Sequence, residues 1–260
     1  MAELAAAVQL PLSTGRRIAV TSVRGGAGKS AVAAVLASVY AARRSEPVLA
    51  ADADPDPDGG SLGWRLGLAG GPTLAELGPQ LLASRAGNLQ ALERLLPRTE
   101  TGLWVLPGGA PGRPQAARDV TRALSRLFPV CVTDCGRGMD SPATVEVLSE
   151  AHAVVIVSPA TPDGMRSTCD ALDRVAGAGR AESLSRVVVV LNAASRDGHA
   201  ALREGAAREA LGRYRVPVVT LPHDRHLAAG APIDPGRVGE ATVVEATRLA
   251  GEALARARQL

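Results

Sequence analysis

Aromatic residues, cysteine and long apolar runs are all scarce in this 260-residue sequence. Aromatic side chains make up 2% of the chain although 46% of its residues are hydrophobic, so we expect a core of Leu, Val and Ala packed between layers. The three cysteines match neither a disulfide framework nor a metal-finger spacing. No run approaches the ~20 apolar residues that cross a bilayer, and residues 1–12 lack the basic start of a secretory signal. We therefore expect a soluble, cytoplasmic protein.

Lysine is scarcer still, because of the 29 basic residues only Lys29 is a lysine. A sequence that uses arginine wherever a positive charge suffices should keep lysine only where the compact ammonium group is needed. The formal net charge of +3 is mildly basic and does not by itself indicate a nucleic-acid or membrane partner. Lys29 is therefore a candidate functional residue.

Short apolar runs alternate with helical patterns along the chain. The predicted strands are Arg17–Ser22, Pro47–Ala51, Leu103–Leu106, Val130–Thr133, Ala153–Ser158, Arg186–Leu191 and Val216–Leu221. The predicted helices between them are Ser30–Arg43, Gln115–Leu127, Ser141–Glu150, Gly164–Ala176, Ala200–Leu211 and Gly239–Ala257. The strands are continuously apolar, as in parallel sheets buried on both faces. The pattern predicts an α/β fold, a doubly wound, mostly parallel sheet of about seven strands with helices on both faces. We expect a flexible segment over residues 1–15 and a single domain over 16–260.

A glycine-rich segment lies between the first predicted strand and the first predicted helix, and it contains Lys29. Glycines let backbone N–H groups turn inward around phosphate oxygens, and the helix N-terminus adds partial positive charge. The expected nucleotide-binding residues are Gly25, Gly26, Ala27, Gly28, Lys29, Ser30 and Ala31. In such a loop Lys29 reaches the β and γ phosphates and Ser30 ligates Mg²⁺. The alternative is a glycine turn that binds no ligand.

The segment Arg24-Gly25-Gly26-Ala27-Gly28-Lys29-Ser30 resembles the deviant Walker A motif, Lys-Gly-Gly-x-Gly-Lys-Ser/Thr, of the MinD/ParA class of P-loop ATPases. Segments 52–55, 130–134, 189–192 and 221–224 resemble further motifs of that class, in the same order. The resemblance implies that Asp54 positions the attacking water, that Asp134 holds Mg²⁺ directly or through water, that Asn192 recognises the adenine edge and that Pro222 packs near the base. Taken alone, the aspartates between positions 52 and 58 are more typical of a solvated turn, and the functional interpretation of Asp54 depends on its place directly after a buried strand and in order with the loop.

Arg24 departs from the motif, which has a lysine at this position. In the family that lysine crosses the interface of an ATP-sandwiched dimer and contacts the partner's phosphates. We expect Arg24 to keep this catalytic role, because a guanidinium carries the same charge and grips phosphate through two donors. The alternative is loss of the cross-dimer contact, since position 24 lost its lysine whereas position 29 did not.

The resemblance implies an ATPase switch in which ATP and Mg²⁺ close a homodimer and slow, partner-stimulated hydrolysis reopens it. Such a switch positions or partitions a cargo, as in chromosome or plasmid partitioning, division-site placement or secretion systems. The segment Thr161-Pro162-Asp163-Gly164 also resembles MinD-like proteins of actinobacteria, some of which accompany type VII secretion systems. The alternatives are a nucleotide-gated scaffold with little or no hydrolysis and, more remotely, a metabolic P-loop enzyme.

We expect three kinds of partner: a second copy of the chain, a protein activator or cargo, and nonspecific DNA. The arginines that would meet DNA are Arg203, Arg208, Arg213, Arg215, Arg248, Arg256 and Arg258. Ordinary solvated helix faces explain them nearly as well. The apolar residues of segment 245–260 are mostly alanine with a few leucines, which disfavours membrane binding. The expected location is the cytoplasm, with recruitment to the nucleoid or to a membrane-bound complex.

Overall fold

The computed structural model describes residues 2–56, 60–68, 72–83, 89–177, 181–195 and 204–259. The strands are β1 Arg16–Ser22, β2 Val48–Ala53, β3 Trp104–Leu106, β4 Val130–Cys135, β5 Ala153–Pro159, β6 Val187–Asn192 and β7 Val218–Leu221. They form a seven-stranded sheet in the order β3-β2-β4-β1-β5-β6-β7, and every pairing between them is parallel. The predicted doubly wound parallel sheet is confirmed.

Helices cover both faces of this sheet. They are α1 Ala2–Val8, α2 Lys29–Arg43, α3 Leu62–Arg65, α4 Leu74–Ala83, α5 Leu89–Leu92, α6 Ala116–Leu124, α7 Pro142–Glu150, α8 Pro162–Val175, α9 Glu204–Gly212, α10 Arg225–Ala228 and α11 Glu240–Ala257. The start predicted for α9, at Ala200, lies outside the described residues. Within the part of the chain that the structure describes, no helix has the length and apolar character needed to cross a bilayer.

Two hydrophobic clusters form the core, one on each face of the sheet. Successive residues of a strand point to opposite faces, so Ile18 and Val20 pack under α2 and α11 while Ala19 packs on the side of α6, α7 and α8. Because both faces are covered, neither set of side chains has to be polar. This is the physical reason for the continuous apolar runs in the sequence.

Helix α1 and the residues after it pack against this core, and the flexibility expected over residues 1–15 stays a prediction. Val8, at the end of α1, is fully buried. The guanidinium of Arg44, itself only 8% exposed, donates to the carbonyls of Val8 and Leu10 at 2.7 and 3.0 Å. A buried arginine needs such acceptors, and they hold the segment onto the body of the domain.

Two strands extend further than predicted, and this matters for the site. β2 ends at Ala53 and β4 at Cys135, so Asp52 and Asp134 lie within the sheet and pair in register on neighbouring strands. Asp52 was expected in the loop that follows β2. Pairing with the longer β4 keeps it in the strand, and its carboxyl group is buried.

Candidate functional site

The glycine-rich loop joins β1 to α2 at the carboxyl edge of the sheet. Gly26 and Gly28 have φ values of 76° and 88°, a left-handed conformation that glycine adopts without strain. Among the described residues, no side chain caps the N-terminus of α2. The N–H groups of its first turn therefore point out of the helix without intrahelical acceptors, which suits an anion such as a phosphate.

Asn192, at the end of β6, holds the loop through its side chain. Its side-chain Nδ2 donates to the carbonyl oxygen of Ala27 at 2.8 Å. A Cβ atom added to Gly28 would lie 2.2 Å from the same nitrogen, so the loop and the amide fit together only with glycine at position 28. The structure thus gives Asn192 a role in holding the loop, and its expected contact with adenine stays a prediction.

Lys29 and Asp134 form a largely buried ion pair at the start of α2. Lys29 Nζ donates to Asp134 Oδ1 at 2.6 Å, and the two side chains are 15% and 2% exposed. Burial raises the pKa of Asp134, while the charge of Lys29 and hydrogen bonds from Lys29 and Ser30 act in the opposite direction. The structure therefore brings the expected phosphate-binding lysine together with both expected Mg²⁺ ligands, Ser30 and Asp134.

Asp52 is a member of this cluster that the sequence interpretation left without a role. Its carboxyl group is enclosed by backbone, since a Cβ atom at Gly60 or Gly108 would lie 2.6 or 3.0 Å from its oxygens. The N–H of Asp54 donates to Oδ1 of Asp52 at 2.9 Å. Burial, and then the charge of Asp134, raise the pKa of Asp52 to about 7. The sequence signal was present, because two predicted strands each end next to an aspartate.

Asp54 lies beyond the end of β2 and is more exposed than Asp52. Its Oδ1 accepts a hydrogen bond from the N–H of Asp56 at 3.1 Å. The loop after β4 packs directly against this segment, since a Cβ atom at Gly136 would lie 3.2 Å from Pro55. The carboxylate expected to position water thus lies at the same sheet edge as Lys29 and Asp134, beside the loop that follows β4.

Arg24 is engaged within its own chain. Its guanidinium faces both carboxylate oxygens of Asp163 at 2.5 and 3.1 Å, and its Nε donates to the hydroxyl of Ser167 at 2.8 Å. Both acceptors belong to α8. The Arg24 and Asp163 side chains are 49% and 64% exposed, so this ion pair lies at the surface. The contact that Arg24 is expected to make across a dimer stays a prediction.

Pro222 directly follows β7, whose last residue Leu221 pairs in register with Asn192, and it lines a groove of about 770 Å³ between β7 and the first turns of α11. The described lining of this groove includes no residue of the loop. Ala31, in the first turn of α2, is half-buried next to Ser30. The structure therefore places Ala31 in the helical turn that follows the phosphate loop, and the expected packing of Pro222 near the base stays a prediction.

These residues fit a nucleoside triphosphate with Mg²⁺. The left-handed glycines and the first turn of α2 offer N–H donors to phosphate oxygens, and Lys29 adds a compact positive charge. The hydroxyl of Ser30 and the carboxylate of Asp134 are oxygen ligands of the kind that Mg²⁺ prefers. The arrangement can bind a phosphate chain and a hard cation side by side.

Comparison with known proteins agrees with this geometry. The family model for the CobQ/CobB/MinD/ParA nucleotide binding domain matches residues 18–231. EspI, an ESX-1 secretion-associated protein of Mycobacterium tuberculosis, is 32% identical over 226 residues, which are 84% of this chain and 33% of that protein. The chain thus spans about a third of the length of this curated relative.

Solved structures share the fold at low sequence identity. A ParA family ATPase from Chlorobium tepidum superposes with a TM-score of 0.71 and 20% identity, covering 90% of this chain and 98% of that one. The septum site-determining protein MinD of Pyrococcus horikoshii, complexed with Mg-ADP, has a TM-score of 0.67 and 20% identity, covering 91% and 94%. At these identities the likeness extends to the fold and carries no residue-level role.

Proposed function

Since this chain belongs to the CobQ/CobB/MinD/ParA nucleotide-binding family, we propose that it is an ATP-dependent switch that dimerises with ATP and Mg²⁺ and separates after slow hydrolysis. The observation that carries the proposal is the buried contact of Lys29 and Ser30 with Asp134, directly beneath the glycine loop. MgATP supplies the phosphate charge and the bond that is cleaved. The loop amides and Lys29 neutralise that charge, and Ser30 and Asp134 hold the metal.

Lys29 has to exchange partners in this scheme. Its Nζ donates to Asp134 in the structure, and it needs to donate to phosphate oxygens in the loaded site. A carboxylate that is 2% exposed is costly to leave without a cation. We infer that Lys29 leaves Asp134 only as a metal ion takes its place, which links phosphate binding to Mg²⁺ binding.

Asp54 and Arg24 complete the proposed machinery. The Asp54 carboxylate, half-buried beyond β2, accepts a hydrogen bond from the attacking water and orients it. The Arg24 guanidinium contributes positive charge to phosphates across the dimer. Its surface position, 49% exposed, is compatible with a contact outside its own chain.

The cargo that we propose is a protein of a secretion system. The EspI relative, which is named as secretion-associated, supports this choice among the expected cargoes. The described arginines that would meet DNA are largely engaged within the chain: Arg213 contacts Asp173, Arg248 contacts Glu245, and Arg256 donates to backbone carbonyls. Arg203 lies outside the described residues. We place the protein in the cytoplasm, recruited to a membrane-bound complex.

Light scattering and phosphate release test the proposal together. We expect the wild type to dimerise with a non-hydrolysable ATP analogue and Mg²⁺ and to remain monomeric with ADP or without nucleotide. Asp54→Ala should dimerise with ATP and release phosphate at least about tenfold more slowly. Asp56→Ala, which removes an exposed carboxylate two residues away, is the matched control and should release phosphate at the wild-type rate.

Two other outcomes separate the alternatives. A wild type that dimerises with ATP but releases no more phosphate than Asp54→Ala is a nucleotide-gated scaffold. A wild type that stays monomeric in every nucleotide state contradicts the dimerising switch, whatever its rate of hydrolysis.

A further inference from the structure

Three donors of Arg24 are matched by three acceptors on one side of α8. The two terminal nitrogens face the two oxygens of Asp163, and Nε faces the hydroxyl oxygen of Ser167. Ser167 donates its own proton to the carbonyl of Asp163 at 3.1 Å, which leaves its oxygen lone pairs for Nε. The Ser22 hydroxyl donates to the Arg24 carbonyl at 2.9 Å. Both the backbone and the side chain of Arg24 are therefore held in a defined position.

This set of contacts explains the arginine at position 24 better than the general preference of this sequence for arginine over lysine does. A guanidinium presents a planar fork plus Nε, whereas lysine ends in a single nitrogen and has no donor along its stem. The single nitrogen of a lysine can pair with Asp163, but no donor is then left for Ser167. The side chain at position 24 therefore fits acceptors on α8 of its own chain. In the family motif this position holds a lysine that contacts the partner subunit's phosphates.

The contact is specific but weak. The two charged side chains are 49% and 64% exposed, and an ion pair this exposed shifts an equilibrium by only about two- to fivefold. A phosphate chain with several negative charges competes easily for the same guanidinium. The contact therefore keeps Arg24 on α8 in the absence of nucleotide from a partner, and it breaks when phosphates compete for the guanidinium.

We propose that Asp163 and Ser167 are positioning residues that retain Arg24 within its own subunit and so raise the protein concentration at which the ATP-bound chains dimerise. This inference rests on the proposed dimerising switch. Each dimer releases two such contacts, so the effect of one contact on the dimerisation constant is squared. Removing the carboxylate should tighten dimerisation by about four- to twenty-fivefold.

Sedimentation velocity over a range of protein concentrations, with a non-hydrolysable ATP analogue and Mg²⁺, measures this effect. Asp163→Asn should dimerise at lower concentration than the wild type, and Ser167→Ala should do so to a smaller extent. The matched control is Asp170→Asn, which removes a carboxylate of the same helix that faces Arg166 at 4.0 Å. It should dimerise as the wild type does, and all variants should bind nucleotide as monomers with unchanged affinity.

An arginine-dependent effect separates positioning from a general change in α8. In an Arg24→Lys background, the added substitution Ser167→Ala should no longer alter dimerisation, because the Nε donor is already absent. An equal effect of Ser167→Ala in both backgrounds overturns the inference.

The remaining outcomes distinguish this inference from the proposed function. If the wild type dimerises and Asp163→Asn does not tighten the dimer, the inference is overturned and the switch stands. If the wild type stays monomeric at the concentrations tested but Asp163→Asn dimerises, the inference is supported and the wild-type dimerisation constant lies above those concentrations. If both stay monomeric, the inference falls together with the dimerising switch.

Discussion

The phosphate loop carries two cations five residues apart, and their surroundings are very different. Lys29 faces Asp134 at 2.6 Å with side chains 15% and 2% exposed, whereas Arg24 faces Asp163 with side chains 49% and 64% exposed. Asp134 lies in β4, between β1 and β2 in the middle of the sheet, and Asp163 lies in the first turn of a surface helix. Two cation–aspartate pairs therefore differ in how costly they are to break.

This difference suits two separate tasks. We call Lys29–Asp134 the inner pair and Arg24–Asp163 the outer pair. A buried carboxylate without its cation is costly, so the inner pair exchanges partners only when another cation binds Asp134. An exposed pair is nearly neutral in energy and is exchanged readily. The inner pair suits metal and phosphate binding, and the outer pair suits a contact made in one state of the switch and lost in another.

The largest predicted effect comes from Lys29→Ala, compared with Arg24→Ala. Lys29→Ala leaves Asp134 buried without its cation, so we expect the free energy of unfolding to fall by about 3–5 kcal/mol and MgATP affinity to fall at least about tenfold. Arg24→Ala should change the free energy of unfolding by no more than about 1 kcal/mol and leave the monomer's nucleotide affinity intact. Urea denaturation and titration calorimetry measure both quantities. Similar losses in the two variants would contradict the comparison.

Asp52→Asn should remove a pH dependence that belongs to the inner region. Burial and the charge of Asp134 raise the pKa of Asp52 from 3.8 to about 7. Between these values the folded chain keeps a proton that the unfolded chain has released, so the free energy of unfolding falls as pH rises. Relative to the wild type, Asp52→Asn should therefore gain stability from about pH 4 to about pH 7, by at most about 1.4 kcal/mol per pH unit.

His152 also contributes to the pH dependence of stability, so the effect of Asp52 has to be measured as the difference between variant and wild type. Burial, and then the charge of Arg17, lower the pKa of His152 from 6.5 to about 4. The unfolded chain then binds the extra proton, so this group makes stability rise with pH from about 4 to about 6.5. Its contribution opposes that of Asp52 in the wild type and cancels in the difference between variant and wild type. A flat difference across the window would show that Asp52 is ionised throughout.

Gly28→Ala and Gly25→Ala sharpen the comparison within the loop itself. Gly28 has a φ of 88°, and a Cβ atom there would lie 2.2 Å from Asn192 Nδ2, so we expect a loss of about 1–3 kcal/mol in unfolding free energy. A Cβ atom at Gly25 would meet no described atom within 4 Å, and this variant should stay within about 0.5 kcal/mol of the wild type. Thermal denaturation without nucleotide measures both. Equal losses would mean that Asn192 does not support the loop.

The sequence was sufficient for features that depend on local pattern. The continuous apolar strands predicted the parallel sheet, and the glycine loop before a helix predicted the placement of Lys29 and Ser30. Asp52 was missed because the end of β2 is set by pairing with β4 rather than by its own residues. The contact that Arg44 makes with the carbonyl of Val8 was not predicted for a similar reason, since the two residues are more than 30 positions apart.

The contact between Arg24 and Asp163 is also a tertiary contact that local sequence patterns do not predict. The two residues are 139 positions apart, and neither helical periodicity nor motif spacing relates them. The resemblance to a family directed attention to what Arg24 does across a dimer, whereas the chain's own α8 supplies acceptors that only its tertiary structure brings close. Sequence reasoning thus brought the candidate residues to one edge of the sheet, and the contacts between them depend on tertiary packing.

The smallest predicted effect is the coupling between Arg24 and Asp163 in the nucleotide-free monomer. A double-mutant cycle of Arg24→Ala and Asp163→Ala, followed by urea denaturation, should give a coupling energy below about 1 kcal/mol. At 1 M salt the Debye length is about 3 Å, so this coupling should approach zero because both side chains are exposed. The corresponding cycle on Lys29 and Asp134 should keep most of its coupling at the same salt concentration, since those side chains are only 15% and 2% exposed. If the Arg24–Asp163 coupling energy persists at 1 M salt, the pair is as strongly held as Lys29–Asp134, which would contradict its ready exchange of partners.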